Sequence, residues 1–179
     1  MAVWLAFLRG INLGKRQVRM AELRGGLEAA GFAGVRTVLA SGNVRLEADG
    51  TPDDIKARLE KTIEAQSGFK VGVVLRSEAE LAAMLEGHPF GRLDPEADVT
   101  RHVLMFHRPL PAGITIADKP RHTEILRIDA RDIYIAGYRQ PNGRYTEGVE
   151  EVLKPLYARL GKGVLDTMRN WNTIEKMLA

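Results

Sequence analysis

Residues 35–47 read Val-Arg-Thr-Val-Leu-Ala-Ser-Gly-Asn-Val-Arg-Leu-Glu, and this stretch decides the predicted fold class. A β-branched run from Val35 to Leu39 and an alternating run from Val44 to Glu47 flank a Ser-Gly-Asn turn. Two short strand-like runs joined by such a turn predict a β-hairpin. The first half of the chain is therefore expected to contain antiparallel strands.

The segments on either side of this hairpin complete the order of elements. Residues 2–9 are apolar on both faces, which predicts a central strand covered on both sides. Residues 20–30 place apolar side chains at helical spacing, and a second helix is predicted from the N-cap Thr51 to Gly68. Residues 70–76 form a final strand. The order strand, helix, strand, strand, helix, strand predicts a ferredoxin-like, four-stranded antiparallel sheet with helices on one face.

The second half repeats most of this order. Strands are predicted at 101–108, 124–129, 132–138 and 164–168, and helices at 148–160 and 171–178. Prolines surround the segment 110–119, so the first helix of this repeat is expected to be short. We therefore predict an α+β fold of two tandem ferredoxin-like subdomains related by duplication, the second one decorated.

The predicted boundaries divide the chain into three parts. An N-terminal ferredoxin-like subdomain covers 1–76, an acidic helical connector covers 77–98, and a C-terminal α+β subdomain with a terminal helix covers 99–179. The connector opens with Ser77-Glu-Ala-Glu80, a capping box. A chain of 179 residues is long enough for one large domain or two small ones.

Composition limits the chemistry that the chain can perform. It contains no cysteine, which excludes disulfides, thiolate metal clusters and a cysteine nucleophile. The four histidines lack metal-ligand spacing, and we expect neither a metal nor a cofactor. The formal net charge is only +3, although the pI is near 9.3. No apolar run approaches the roughly 20 residues of a membrane span, and no signal-peptide pattern opens the chain. A cytoplasmic protein is expected.

One edge of the predicted first sheet combines cations with turn residues. The first two strands run in the same direction, so the loop after the first strand and the hairpin tip meet there. The candidate ligand-binding residues at this edge are Arg9, Asn12, Lys15, Arg16, Ser41 and Asn43. Glycine lets backbone approach a ligand, and Arg or Lys neutralises an anion. The spacing of Gly10 and Gly14 matches neither a P-loop nor a dinucleotide-binding motif. The alternative interpretation is that the asparagines and Gly42 only satisfy the turns.

A second polar cluster surrounds Trp171 near the end of the chain. Its candidate ligand-binding residues are Arg169, Asn170, Asn172 and Thr173. Either asparagine could cap the last helix, and Trp171 could seal the core beneath that helix. Both a binding role and a structural role are open for this cluster.

Several of these motifs resemble those of a known family. Arg9-Gly-Ile-Asn12, Ser41-Gly-Asn43, His88-Pro-Phe90 and Arg169-Asn-Trp-Asn-Thr173 are similar to motifs of the bacterial domain-of-unknown-function family sixteen ninety-seven. The resemblance extends from about residue 3 to residue 178. It implies a small cytosolic protein of two related α+β subdomains, and it implies no reaction, substrate or cofactor. Gly14-Lys15 has one glycine where the family motif tends to carry two.

Three functions remain open on this evidence. The leading hypothesis is binding of an anionic ligand, either a nucleic acid or a phosphorylated metabolite, at the loop edge. The second is an enzyme acting on a phosphorylated or carboxylated small molecule, with Arg9 and Lys15 as electrostatic stabilisers. This hypothesis is weakened by the lack of a convincing general base near the loop, because neither Glu22 on the helix nor Glu47 on the outgoing strand can be placed within proton-transfer reach. The third is a structural or interaction module that binds no ligand.

Overall fold

The structure is a computed structural model that describes residues 1–11, 14, 16–39 and 42–179. The chain divides into two compact units. The first comprises Met1–Ala83 together with Thr173–Ala179, and the second comprises Met84–Asn172. The predicted division at 1–76, 77–98 and 99–179 concerns continuous segments and stays a prediction.

The first unit is built on one antiparallel sheet. Its elements are β1 (Ala2–Arg9), α1 (Met20–Ala29), β2 (Ala33–Val38), β3 (Asn43–Ala48), α2 (Pro52–Ser67) and β4 (Gly72–Ser77). The strand order is β2-β3-β1-β4, and each neighbouring pair is antiparallel. β1 is a central strand with buried side chains on both faces, including Leu5 and Phe7 on one face and Ala6 and Leu8 on the other. The predicted hairpin, central strand and two helices are confirmed.

One face of this sheet carries the core of the first unit. Buried leucines of α1 and the stripe Ile55, Leu59 and Ile63 of α2 pack in a cluster that includes Val44 and Leu46 of β3. Full burial of each such side chain contributes about 1.5–3 kcal/mol. Local signals fix the helix ends: the Thr51 hydroxyl accepts a hydrogen bond from the Asp54 amide at 3.2 Å, and Gly68 ends α2 with φ +83°.

The second unit is built on a second antiparallel sheet. Its elements are the end of α3 (Glu78–Glu86), β5 (Val99–Phe106), β6 (Thr123–Ile128), β7 (Asp132–Tyr138), α4 (Val149–Leu160), β8 (Asp166–Asn170) and the start of α5 (Trp171–Met177). The strand order is β6-β7-β5-β8. Leu104 and Phe106 of β5 pack with Leu153 and Leu156 of α4 in its core. The last strand begins at Asp166, two residues later than predicted, because Asp166 is the first residue to pair with β5.

The prediction of a short helix at 110–119 is wrong. No helix forms between β5 and β6, a stretch that the structure describes in full. Leu110, Ile114 and Ile116 instead pack against the core of the second unit from an irregular segment. Prolines lack an amide hydrogen and disfavour a helical residue before them, so this segment covers the core without helical hydrogen bonds.

The capping box before α3 is confirmed. The Ser77 amide donates to Glu80 Oε2 at 2.7 Å, and the Glu80 amide donates to Ser77 Oγ at 3.1 Å. These two bonds satisfy amides that the helix itself leaves without partners. Among the helices within the described ranges, none is long and apolar enough to cross a membrane.

Candidate functional site

The end of β1 and the tip of the β2–β3 hairpin lie against each other, as the strand directions predict. Phe7 is the register partner of Asn43, and the Leu8 amide donates to the Gly42 carbonyl at 2.9 Å. A Cβ atom on Gly42 would lie 2.5 Å from Ile11 Cδ1. Ile11 therefore packs directly on the hairpin tip, and only glycine leaves it room.

Two of the predicted cationic residues are exposed at this edge. Arg9 is the last residue of β1, and Arg16 lies in the loop that leads to α1. The Arg16 guanidinium lies over the Phe69 ring, 5.3 Å from its centroid. A guanidinium stacked on a ring keeps its edge nitrogens available as donors. Gly10 adopts φ +77°, so the chain leaves β1 through a left-handed turn.

The helix that follows this loop begins without a side-chain cap. Its N-cap residue is Arg19, whose side chain makes no capping hydrogen bond. The first amides of α1 are therefore not satisfied by a cap of the kind that Thr51 provides for α2. Amides at a helix N-terminus attract anions, although Glu22 in the first turn offsets part of that field.

The structure places the remaining predicted residues of this edge unequally. Asn12, Lys15 and Ser41 lie outside the described residues. Asn43 is fully buried, and its side-chain amide donates to the Val38 carbonyl at 3.0 Å. This bond crosses the hairpin just below its tip, so Asn43 holds the turn together rather than facing a ligand.

Of the second predicted cluster, Arg169, Asn170 and Asn172 belong to the second unit, where each makes a hydrogen bond, whereas Thr173 is a buried residue of the first unit. Asn170 Oδ1 accepts from the Asn172 amide at 2.9 Å and so caps α5. Asn172 Oδ1 accepts from Arg101 Nη2 at 2.6 Å. Arg169 donates to Thr167 Oγ1 at 2.5 Å, and burial lowers the pKa of its guanidinium to about 10. Arg169 still carries its charge at neutral pH.

Trp171 has the sealing role that the sequence left open. It is 5% exposed, and its ring centroid lies 5.3 Å from that of Phe90 and 5.8 Å from that of Tyr134. Burial raises the pKa of Tyr134. Edge and tilted contacts among three aromatic rings add to the free energy of burying them. The tryptophan thus anchors the start of α5 within the second unit.

The motifs and the fold of this chain are similar to those of known proteins. The sequence profile of a family described as "Protein of unknown function (DUF1697)" matches residues 1–134. The chain belongs to the DUF1697 family. The Arg9–Asn12 and Ser41–Asn43 motifs fall within the matched range, whereas the Arg169–Thr173 motif lies beyond it.

A solved structure shows the same fold as this DUF1697 member. It is that of a conserved bacterial protein from Streptococcus pneumoniae, with a TM-score of 0.70 and 21% sequence identity. The match covers 99% of this chain and 96% of the other. None of the curated proteins matches the chain. At this identity the likeness concerns the fold alone.

Two polar clefts of this DUF1697 chain are lined by residues that the sequence did not indicate as site residues. One, of about 290 Å³, lies in the second unit and includes Arg92, Asp118, Glu124 and Tyr138. The Tyr138 hydroxyl donates to Glu124 Oε1 at 2.7 Å, which raises the pKa of the tyrosine. Asp118 Oδ2 accepts from the Ile125 amide at 2.8 Å, so both carboxylates brace the start of β6.

The other cleft, of about 320 Å³, lies in the first unit beside Arg36 and Arg45. Alternation along β3 could have placed Arg45 on the face opposite the helices. The predicted hairpin supplies the partner strand, but its register could not be derived in the same way. Across the described residues of both units, no three histidine or acidic side chains converge as metal ligands.

Proposed function

We propose that this DUF1697 protein binds an anionic ligand, either a nucleic acid or a phosphorylated metabolite, at the loop edge of its first unit. The loop edge comprises Arg9, Asn12, Lys15, Arg16, Ser41 and Asn43. The observation that carries the proposal is the contact of the hairpin tip with the end of β1, made by Leu8 and Gly42. It brings the basic loop and the hairpin tip to the same edge of the sheet.

The residues of this edge divide into a frame and a binding surface. Asn43 and Gly42 form the frame, because one bonds to Val38 and the other receives Ile11. Exposed Arg9 and Arg16 supply charge, and the uncapped start of α1 supplies amides. Charge-assisted hydrogen bonds to an anion contribute about 1.5–3 kcal/mol each when partly desolvated. A frame that already holds the loop lowers the entropy that a ligand must overcome.

Binding is favoured over catalysis by the position of the nearby acids. Glu47 Oε1 lies 3.5 Å from Arg45 Nη1 on β3 and so pairs with that arginine. Glu22 lies in the first turn of α1. Arg169, Asn170, Asn172 and Thr173 remain the second candidate cluster. The hydrogen bonds of Arg169, Asn170 and Asn172 with residues of the second unit favour a bracing role for these three.

We also propose that each unit is a ferredoxin-like fold and that the two arose by duplication. Support comes from the strand orders β2-β3-β1-β4 and β6-β7-β5-β8, which are identical when the strands of each unit are counted from its first. The second copy would then have lost its first helix to the proline-bounded segment 110–119. Superposition of the two sheets with their second helices tests this, and a mismatch of α2 and α4 would contradict it.

The test of the binding proposal compares two variants. Arg9→Ala combined with Lys15→Ala removes two charges from the loop edge, and Arg24→Ala removes one from the exposed face of α1, where Arg24 pairs with Glu28 at 3.0 Å. Inorganic phosphate, a nucleoside triphosphate and a single-stranded oligonucleotide are titrated against each protein. We expect the double variant to bind at least tenfold more weakly than the parent, because about 1.4 kcal/mol corresponds to tenfold, and Arg24→Ala to bind like the parent.

Salt dependence separates the two ligand classes. A nucleic acid predicts an affinity that falls with salt by roughly one log-log unit per phosphate contacted, whereas a small phosphorylated molecule gives a shallow slope. If the double variant binds every probe as tightly as the parent, or the parent binds none of them, the proposal is wrong.

A further inference from the structure

We propose that the cleft of about 320 Å³ in the first unit binds a small zwitterion, with its carboxylate at Arg36 and Arg45 and its ammonium group at Glu78. The inference is independent of the loop edge. Every residue that lines the cleft belongs to the first unit, in β2, β3, the start of α3 and the segment Met177–Ala179.

The two arginines face each other directly across the hairpin. Arg36 of β2 is the register partner of Arg45 of β3, so their side chains leave the sheet on the same face. That face is opposite the helices, because Val44 and Leu46 on either side of Arg45 point into the helix-packed core. Like charges at directly opposed positions are destabilising unless an anion lies between them.

Each guanidinium is held only loosely by the protein. Arg36 Nη2 donates to the Ala179 carbonyl at 3.4 Å, longer than a normal hydrogen bond. Arg45 Nη1 lies 3.5 Å from Glu47 Oε1, and both side chains are partly exposed. A contact of that kind contributes at most about 1 kcal/mol. An arginine carries five donors in a fixed fork, which suits a bidentate carboxylate.

A glycine shapes the arginine side of the cleft. The register of β2 against β3 shifts between Ala33 and Arg36, and Gly34 within this bulge has φ +54°. A Cβ on Gly34 would lie 2.9 Å from Glu47 Oε1. Glycine therefore lets the Glu47 carboxylate lie beside the bulge, where it contacts one nitrogen of Arg45.

Glu78 also lines the cleft and supplies the opposite charge. It is the first residue of α3 and is exposed, and the capping bonds next to it are made by Ser77 and Glu80. Within the described part of the chain, Glu78 forms no ion pair with Arg36 or Arg45. The glutamate and the two arginines that line the cleft therefore do not neutralise each other in a direct ion pair.

The size and floor of the cleft restrict the ligand further. A volume of about 320 Å³ is at the lower end for small-molecule sites. Half-buried Leu178 supplies accessible apolar surface in the lining, whereas Met177 beside it is fully buried. A small molecule with a carboxylate, an ammonium group and a short aliphatic part, such as a free aliphatic amino acid, matches these three surfaces.

The test uses L-leucine and its two single-charge fragments. Isocaproate keeps the carboxylate and isoamylamine keeps the ammonium group, and each is titrated into the isotope-labelled full chain while amide resonances are followed. We expect leucine to shift the resonances of Gly34, Arg36, Arg45 and Glu78 more strongly than either fragment does. Arg36→Gln with Arg45→Gln should weaken both leucine and isocaproate binding by roughly tenfold or more, because two charge-assisted bonds are lost.

Glu78→Gln separates a zwitterion site from a simple anion site. We expect Glu78→Gln to lower the affinity for leucine to that for isocaproate and to leave the affinity for isocaproate unchanged. Arg24→Gln on the opposite, helical side of the sheet is the matched control and should change neither. Urea denaturation checks that each variant is folded, and if the double arginine variant is unfolded the Glu78→Gln comparison decides alone.

Three outcomes would overturn the inference. Leucine could fail to shift these four resonances, Glu78→Gln could leave leucine binding unchanged, or inorganic phosphate could bind here as tightly as leucine with no effect of Glu78→Gln.

Discussion

Replacement of Gly42 by alanine tests the contact that organises the loop edge. Gly42 has φ +76°, and a left-handed conformation costs a non-glycine residue about 1–2 kcal/mol. The new Cβ would lie 2.5 Å from Ile11 Cδ1 and 3.1 Å from Leu8 Cβ, so Ile11 must move. Overpacking of this kind costs about 1–3 kcal/mol. We therefore expect Gly42→Ala to lower the free energy of unfolding by about 2–5 kcal/mol.

The chain offers a matched control for the backbone part of this cost. Gly68 has a similar φ of +83°, but a Cβ there meets no described atom within 4 Å. Gly68→Ala should cost only the backbone strain of about 1–2 kcal/mol. Urea denaturation of both variants, followed by circular dichroism, gives the difference in free energy directly.

A double-mutant cycle then isolates the steric part. Ile11→Ala removes the nearest atom that the new methyl group would meet and leaves Leu8 Cβ at 3.1 Å, so Gly42→Ala should cost less in that background than in the parent. If Gly42→Ala costs no more than Gly68→Ala, or if Ile11→Ala does not reduce its cost, the assignment of Ile11 as the residue packed on the hairpin tip is refuted.

Three further predictions rest on single contacts. Burial lowers the pKa of His102, so the unfolded chain binds a proton more readily, and stability should be full above about pH 6.5 and fall as the pH drops below it; His102→Gln should flatten this dependence in urea denaturations across pH. Ser77→Ala removes the Oγ that caps the Glu80 amide and should cost about 0.5–2 kcal/mol by the same assay. Gly137→Ala puts a Cβ 2.4 Å from the Tyr145 carbonyl and should cost about 1–3 kcal/mol, and a neutral effect would contradict that close approach.

Much of the fold was predictable because its signals are local. Thr51 and Gly68 mark the ends of α2, and both act as the sequence indicates, through a side-chain cap and a left-handed terminal residue. The pair Ser77 and Glu80 likewise forms its two predicted bonds. Each of these interactions spans four residues or fewer, so its partners can be identified from spacing alone.

The segment between β5 and β6 was harder to predict because its apolar residues are compatible with two backbone conformations. Leu110, Ile114 and Ile116 are partly buried against the core of the second unit, as the apolar face of a helix would also be. The prolines around them remove amide donors, and an irregular segment can bury the same side chains without a helical ladder. Apolar content indicated burial correctly, while only the tertiary structure decided the backbone conformation.

The candidate sites depended on information that spacing does not contain. Arg36 and Arg45 oppose each other because the register that pairs Val38 with Asn43 at the turn continues along the hairpin to them. A shift of one residue moves every side chain of a strand to the other face. The cleft beside these arginines was therefore out of reach of the sequence, although both residues lie in strands that it predicted.

The hairpin tip shows why residue type alone could not separate frame from binding surface. Glycine and asparagine are common both in ligand-binding loops and in ordinary turns. Here the side-chain amide of Asn43 donates a hydrogen bond to the Val38 carbonyl. Arg9, by contrast, is exposed at the end of β1. Substitution should affect Gly42 and Arg9 differently. A change at Gly42 should lower both stability and ligand affinity, whereas removal of the Arg9 charge should lower the affinity for an anion with little loss of stability. If Arg9→Ala is as unstable as Gly42→Ala, Arg9 belongs to the frame, and the proposal that it binds an anion at this edge is contradicted.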